Sequence, residues 1–318
     1  MLPLGYADVR AAADRIRPYV HRTPVLRSTR LDALLGVQAY FKCENFQRVG
    51  AFKARGAHNA VFSLSAEAAA RGVVTHSSGN HAAALSLAAA NRGIPASIVM
   101  PRNAPRAKVA SVRQLNGEIH FCEPTLQARE AMAAELMAAR GARLIHPYDD
   151  VHVIAGQGTA AMELIEDVAG LDAIVAPVGG GGLMAGTAVA ARGMREHIRL
   201  VAAEPAGADD AFRSWRDGIH VRHSTPDTIA DGLRTTLGVH NFAVLRALLD
   251  DFITVGEAAI VDAMRLVWEI LKIVIEPSSA VAVAALLDGA ERLGLRGARV
   301  GVILTGGNVD LDCLPWQV

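Results

Sequence analysis

The sequence predicts an α/β protein of two domains, each a twisted, mostly parallel sheet flanked by helices. Three observations predict it. Short apolar runs alternate with longer segments of helical periodicity, the pattern of parallel strands covered on both faces by crossover helices. A chain of 318 residues can bury a large core and divide into two domains. The motifs rich in glycine, serine and proline fall at strand ends or helix starts, where such sheets bind their ligands.

In chain order, short β-favouring runs predict strands over 38–43, 72–75, 96–100, 118–122, 143–145, 172–177, 199–203 and 299–304. Helical spacing of apolar residues predicts helices over 6–19, 53–63, 80–92, 105–115, 126–139, 154–168, 183–194, 257–272 and 277–292. A smaller domain at 70–149 is inserted into a larger one made of 1–69 and 150–318. No internal repeat and no low-complexity linker is visible.

Composition narrows the function classes. Lys plus Arg (32) equals Asp plus Glu (32), so no basic field points to nucleic acid. The start, MLPLGYADVRAAADR, meets charge too soon for a secretory leader, and the most apolar stretches, such as 279–287, are too short to span a bilayer. Cys43, Cys122 and Cys313 are far apart, and none sits in a CxxC pair. Neither a disulfide framework nor a zinc site is expected. A cytoplasmic enzyme with a small-molecule substrate fits best.

Lys53 is one of four lysines among the 32 Lys and Arg residues, and it sits in Gly50-Ala51-Phe52-Lys53-Ala54-Arg55-Gly56. Lysine can lose its proton and attack a carbonyl, whereas arginine cannot. Lys53 is therefore the candidate Schiff-base nucleophile, against the plainer reading of a solvated lysine at a helix start. Gly179-Gly180-Gly181-Gly182 stands between a strand and a helix, where backbone N–H groups and a helix N-terminus suit a phosphate. The plainer reading is a flexible turn. Gly180, Gly182 and Ala185 also satisfy a loosened dinucleotide-binding pattern, with Glu204 at the distance of a ribose contact, so a nicotinamide-dependent oxidoreductase is a competing hypothesis. A cofactor-free binding protein of the same fold is a third.

Ser77-Ser78-Gly79-Asn80-His81 opens the helix at 80–92, where free N–H groups and the helix dipole suit a carboxylate. Capping alone accounts for one serine or the asparagine. Thr305-Gly306-Gly307-Asn308 follows the last strand and places a hydroxyl where a ring nitrogen can approach. A nucleophilic amine, a phosphate cradle, a carboxylate site and a hydroxyl for a ring nitrogen are together what pyridoxal 5′-phosphate requires.

From Arg22-Thr23-Pro24 through Phe41-Lys42-Cys43-Glu44-Asn45-Phe46-Gln47 to Gly306-Gly307-Asn308-Val309-Asp310, the chain resembles the serine/threonine dehydratase and serine racemase group of fold-type II pyridoxal-phosphate enzymes. The resemblance implies that Lys53 forms the Schiff base with Phe52 beside the ring. It implies that Gly179, Gly180, Gly181 and Gly182 hold the phosphate, that Asn80 meets the 3′-oxygen and that Thr305 faces the pyridine nitrogen. Ser77, Asn80 and His81 would receive the substrate carboxylate, and Ser78 would be the acid/base on the face opposite Lys53. In Glu204-Pro205-Ala206-Gly207-Ala208-Asp209-Asp210, Glu204, the Ala208 carbonyl and Asp210 would ligate a divalent cation (Mg, Mn or Ca). Where much of the group has serine two residues before the lysine, this chain has Ala51. The resemblance also implies a homodimer.

The expected activity is that of an ammonia-lyase converting a small β-hydroxy α-amino acid, such as L-threonine or L-serine, to a 2-oxo acid. The alternatives are a serine racemase with side dehydratase activity and a 3-hydroxyaspartate dehydratase. The last would use the Arg129 guanidinium for a second carboxylate, against its plainer reading as an exposed helix arginine. Tyr148 is a further candidate for the pocket wall.

Overall fold

The computed structural model describes residues 2–317, Asp288 without its side chain. Its strands are β1 (Val25–Leu26), β2 (Gln38–Cys43), β3 (Val73–His76), β4 (Ala96–Pro101), β5 (Glu118–Cys122), β6 (Arg143–Leu144), β7 (Ala173–Pro177), β8 (Arg199–Pro205), β9 (Asp251–Val255) and β10 (Arg299–Leu304). They form a six-stranded sheet in the order β1-β2-β10-β7-β8-β9 and a four-stranded sheet in the order β5-β4-β3-β6. Every pairing is parallel except β1 with β2, which is antiparallel.

Successive residues of each strand point to opposite faces, and in the central strands both faces are buried. On the large sheet Phe41, Val175 and Val201 enter one apolar cluster, while Tyr40, Ile174 and Leu200 enter another. On the small sheet Val73 and Ile98 face one cluster, and Val74 and Val99 face a second. Burial on both sides is what favours parallel pairing.

Register places the chemistry. β10 lies between β2 and β7, with Leu304 opposite Cys43 and Val302 opposite Val175. The carboxyl ends of these three neighbours therefore release Lys53, Thr305 and the glycine run on one edge of the sheet. The small sheet contributes the segments after β3 (from Ser77) and after β6 (from His146).

All of the expected strands and helices are present. The helix expected from 154 starts at Val151, because the Asp150 carboxylate accepts the N–H groups of His152 and Val153. Not anticipated were β1, β9 and four helices, among them Asp210–Asp217 and Val239–Leu248. Those two start without side-chain caps of their own. Their free N–H groups are met from a distance. Glu204 accepts from Ala211 and Phe212, and Asp149 accepts from Val239 and His240. A cap supplied from elsewhere in the chain leaves no local sequence signal.

Helix Lys53–Phe62 is anchored by buried charge. The Arg55 guanidinium donates to both oxygens of Glu44 at 2.7 and 2.8 Å and to both oxygens of Glu163 at 2.8 Å. Lys42 donates to Glu163 at 2.6 Å, and Thr23 to Glu44 at 2.6 Å. Arg55, Lys42 and Glu44 are fully buried. Such a network adds little net stability over apolar packing, but breaking one member strands the others' charge.

Candidate active site

A cavity of about 490 Å³ opens between the carboxyl ends of the two sheets. Lys53 enters it as the first residue of helix Lys53–Phe62. Just before it the chain is tied to the end of β10: Ala51 bridges Gly306, and the Phe52 N–H donates to the Thr305 carbonyl at 2.9 Å. The Lys53 ammonium donates to the Pro147 carbonyl at 2.7 Å, and Nζ lies 5.1 Å from the centre of the Phe52 ring. Burial pushes its pKa down to about 8, and the charge of Glu276 pulls in the other direction.

The glycine run is a packed surface and not a flexible turn. A Cβ on Gly179 would lie 2.8 Å from Leu233 Cα, one on Gly180 would enter the Tyr148 ring, and one on Gly182 would lie 2.8 Å from the Tyr148 carbonyl. Gly181 has φ +89 and caps helix Gly182–Met194. All four glycines are buried. Among the described residues, none of the N–H groups of Gly179, Gly180 or Gly181 donates a hydrogen bond to the protein. Buried unpaired donors at a helix N-terminus form a receptor for an anion. Asn241 steadies this loop, donating to the carbonyls of Gly180 at 2.6 Å and Tyr148 at 3.0 Å.

Ser77, Ser78, Asn80 and His81 line the same cavity at the start of helix Asn80–Arg92. Ser77 Oγ accepts the Gly79 N–H. His81 Nε2 pairs with the Ile145 carbonyl, and burial with the charge of Lys53 keeps the ring neutral. Thr305 Oγ1 is 2.9 Å from Ser279 Oγ, whose hydroxyl also bridges the backbone of Gly306. Arg129 and Tyr148 line the cavity as well. Tyr148 stands edge-on to His146, with ring centroids 4.6 Å apart, and its hydroxyl accepts a hydrogen bond from Thr235 at 2.7 Å.

Glu204, Ala208 and Asp210 lie apart from the cavity, at the end of β8 and the start of helix Asp210–Asp217. The side chain of Glu204 is fully buried and turned into that helix N-terminus, so it cannot reach a ribose. That removes the contact on which the dinucleotide reading depended. Burial and the charge of Asp210 push the Glu204 carboxyl well above the usual range, and burial raises Asp210 too.

Sequence reasoning missed Glu276, Ser279, Asn241 and the role of Asn308. Glu276 is buried in the cavity wall and accepts hydrogen bonds from Asn80 and from the Asn308 N–H. A usable signal existed: a carboxylate and two serines interrupt the apolar run of Ile273 to Leu287.

Comparison with known proteins agrees with this geometry. The family model described as pyridoxal-phosphate dependent enzyme matches residues 16–306. The chain is 51% identical to the beta-hydroxyaspartate dehydratase of Paracoccus denitrificans, over 98% of each chain. It is 50% identical to the serine racemase of Arabidopsis thaliana, covering 96% of this chain and 94% of that protein. The structure of maize serine racemase superposes with a TM-score of 0.95 at 48% identity, covering 97% of this chain and 94% of that one. A match across nearly the whole chain, at half-identical sequence and with the lysine, glycine cradle and strand-end hydroxyl in one cavity, makes this chain a member of the pyridoxal-phosphate dependent enzyme family.

Proposed function

We propose that the protein is a pyridoxal-phosphate-dependent ammonia-lyase for β-hydroxy α-amino acids, with 3-hydroxyaspartate the preferred substrate. The observation that carries the substrate is Arg129, a guanidinium on the wall of the cavity that Lys53 enters. A second substrate carboxylate is its natural partner. The relative from Paracoccus denitrificans named beta-hydroxyaspartate dehydratase supports the same reading. L-Serine and L-threonine are the smaller substrates of the same chemistry.

The residues fit the cofactor. The unpaired N–H groups of Gly179, Gly180 and Gly181 suit its phosphate, Lys53 its aldehyde, Asn80 its 3′-oxygen and Thr305 its ring nitrogen, with Phe52 against the ring. When bound, the cofactor supplies an electron sink for the carbanion formed at the substrate α-carbon. The helix start at Ser77, Asn80 and His81 binds and orients the α-carboxylate. The freed Lys53 amine removes the α-proton as general base; its depressed pKa keeps a useful fraction neutral near pH 8. Thr305 is hydrogen-bonded to a neutral serine and not to a carboxylate, so it would offer the ring nitrogen of a bound cofactor a hydroxyl and no negative charge.

Ser78 carries a second reading. Its hydroxyl lines the cavity with Lys53 and would return a proton from the other face, giving racemase activity alongside elimination. Incubation with serine, threonine and each 3-hydroxyaspartate diastereomer, with 2-oxo acid detection and chiral analysis, tests both. Failure to release a 2-oxo acid from any of them rejects the lyase.

Three further features belong to this reading. A hard divalent cation at Glu204, the Ala208 carbonyl and Asp210 would relieve two buried carboxylates that have no basic partner among the described salt bridges. The segment 70–149 acts as an inserted small domain; it holds the whole four-stranded sheet. The protein works as a cytoplasmic homodimer, in keeping with the family resemblance; among the described residues no helix is long and apolar enough to cross a membrane.

A further inference from the structure

We propose that Glu276 is a positioning residue for the cofactor. Together with Asn308 it fixes which way round the Asn80 carboxamide lies, so that Asn80 offers an N–H and not its oxygen to the 3′-oxygen of the pyridoxal ring. The inference rests on the reading of the cavity as a pyridoxal-phosphate site and adds a residue to that site.

The Asn80 carboxamide is held at both ends. Its Oδ1 accepts from Asn308 Nδ2 at 2.9 Å, and its Nδ2 donates to the two Glu276 oxygens at 3.0 and 3.2 Å. Asn308 cannot turn over, because Nδ2 also donates to the Val49 carbonyl at 2.7 Å. Its backbone N–H meets Glu276 Oε2 at 3.2 Å. Reversing Asn80 would set its oxygen against a carboxylate and its NH2 against another NH2. One Nδ2 hydrogen faces Glu276, and the second remains for an acceptor in the cavity.

Helix capping does not account for Glu276. It occupies the N-cap position of helix Pro277–Gly289, yet its side chain makes no capping hydrogen bond. It is 3% exposed, and it forms no ion pair among the described residues. A buried carboxylate without a cation is costly to keep for packing alone. Burial and the charge of Asp231 push the carboxyl up to about 7. The Asn80 donor, the Lys108 charge and the Asn308 N–H pull the other way. Lys53 also faces it across the cavity.

A double-mutant cycle tests the assignment in the full-length protein, titrated with pyridoxal phosphate and followed by its visible absorption band. Asn80→Ala and Glu276→Ala are each expected to weaken cofactor binding by roughly 3–10-fold and to shift the band, the loss of one hydrogen bond. In the Asn80→Ala background, Glu276→Ala is expected to add almost nothing. Equal losses in both backgrounds, or a band and affinity at wild-type values, would overturn the proposal. If Glu276→Ala does not fold, Glu276→Gln keeps the shape, is expected to give a smaller loss, and completes the same cycle. Borohydride reduction and peptide mass spectrometry report separately on the site itself. No pyridoxyl adduct on Lys53 ends the cofactor reading, whereas an adduct with additive losses ends only the role of Glu276.

Discussion

Lys53 Nζ donates to the Pro147 carbonyl oxygen at 2.7 Å, joining the helix that follows β2 to the segment that follows β6. The ammonium is therefore held by a neutral acceptor inside a partly buried wall, and its pKa falls to about 8. Only the neutral amine attacks an aldehyde. The rate of cofactor attachment to the apoprotein should rise with pH through about 8 and then level off. Lys53→Ala should show no attachment. The same group sets a stability trend. Its folded pKa lies below the unfolded value, so between about 8 and 10.5 the unfolded chain binds more protons and this group's contribution to stability rises with pH. Stopped-flow absorbance and pH-dependent melting would measure the two effects.

The Tyr148 ring occupies the space that a Cβ on Gly180 would need. Gly180→Ala should weaken pyridoxal-phosphate binding at least tenfold and destabilise the fold by about 1–3 kcal/mol through overpacking. Tyr148→Ala should recover part of the stability in the double variant. Equal melting temperatures for wild type and Gly180→Ala would contradict the packing argument.

Arg129→Met keeps the length of the side chain and removes the fork of donors. Loss of a charge-assisted contact of about 1.5–3 kcal/mol predicts a 10–100-fold fall in kcat/KM for 3-hydroxyaspartate. The value for serine should stay within about twofold. Parallel losses on both substrates would show that Arg129 does not read the side chain.

Glu204 is pushed well above the usual carboxylate range by burial and by the charge of Asp210, so without a cation the site favours its protonated form more than a solvated carboxylate would. A divalent cation must displace that proton. Affinity for Mg, Mn or Ca should therefore rise with pH, and chelation should lower the melting temperature. Asp210 also accepts the Leu237 N–H at 2.8 Å, and Leu237 packs on Gly181. Loss of a cation from this proposed site should weaken cofactor binding as well. Calorimetry at pH 6 and pH 8, which should show proton release, checks the first point.

Arg55 is paired with Glu44 and Glu163 inside the protein. Arg55→Met should cost about 3–5 kcal/mol, because buried Glu44 loses its cation and Glu163 is left with Lys42 alone. Arg55→Met with Glu44→Gln should recover part of it, as read from urea unfolding.

Much of this was legible in the sequence, for identifiable reasons. The parallel strands announce themselves because both their faces are apolar. Lys53, Asn80, the glycines and Thr305 sit in short local motifs at element ends, and the structure gathers them in one cavity. What stayed hidden depends on distance along the chain. The helix at Val239–Leu248 is capped by Asp149, and Glu276 meets Asn80 across 196 positions. Neither partner reveals the other locally.

The wall built by Gly179, Gly180, Gly181 and Gly182 is filled by neighbours from residues 148, 233, 237 and 241, so a change at any one of them disturbs several. Helix Leu126–Arg140, which carries Arg129 on the other side, has Ala133 as its one buried side chain among the described residues. Substitutions on the exposed face of that helix should therefore disturb the cavity less than substitutions in the glycine wall do.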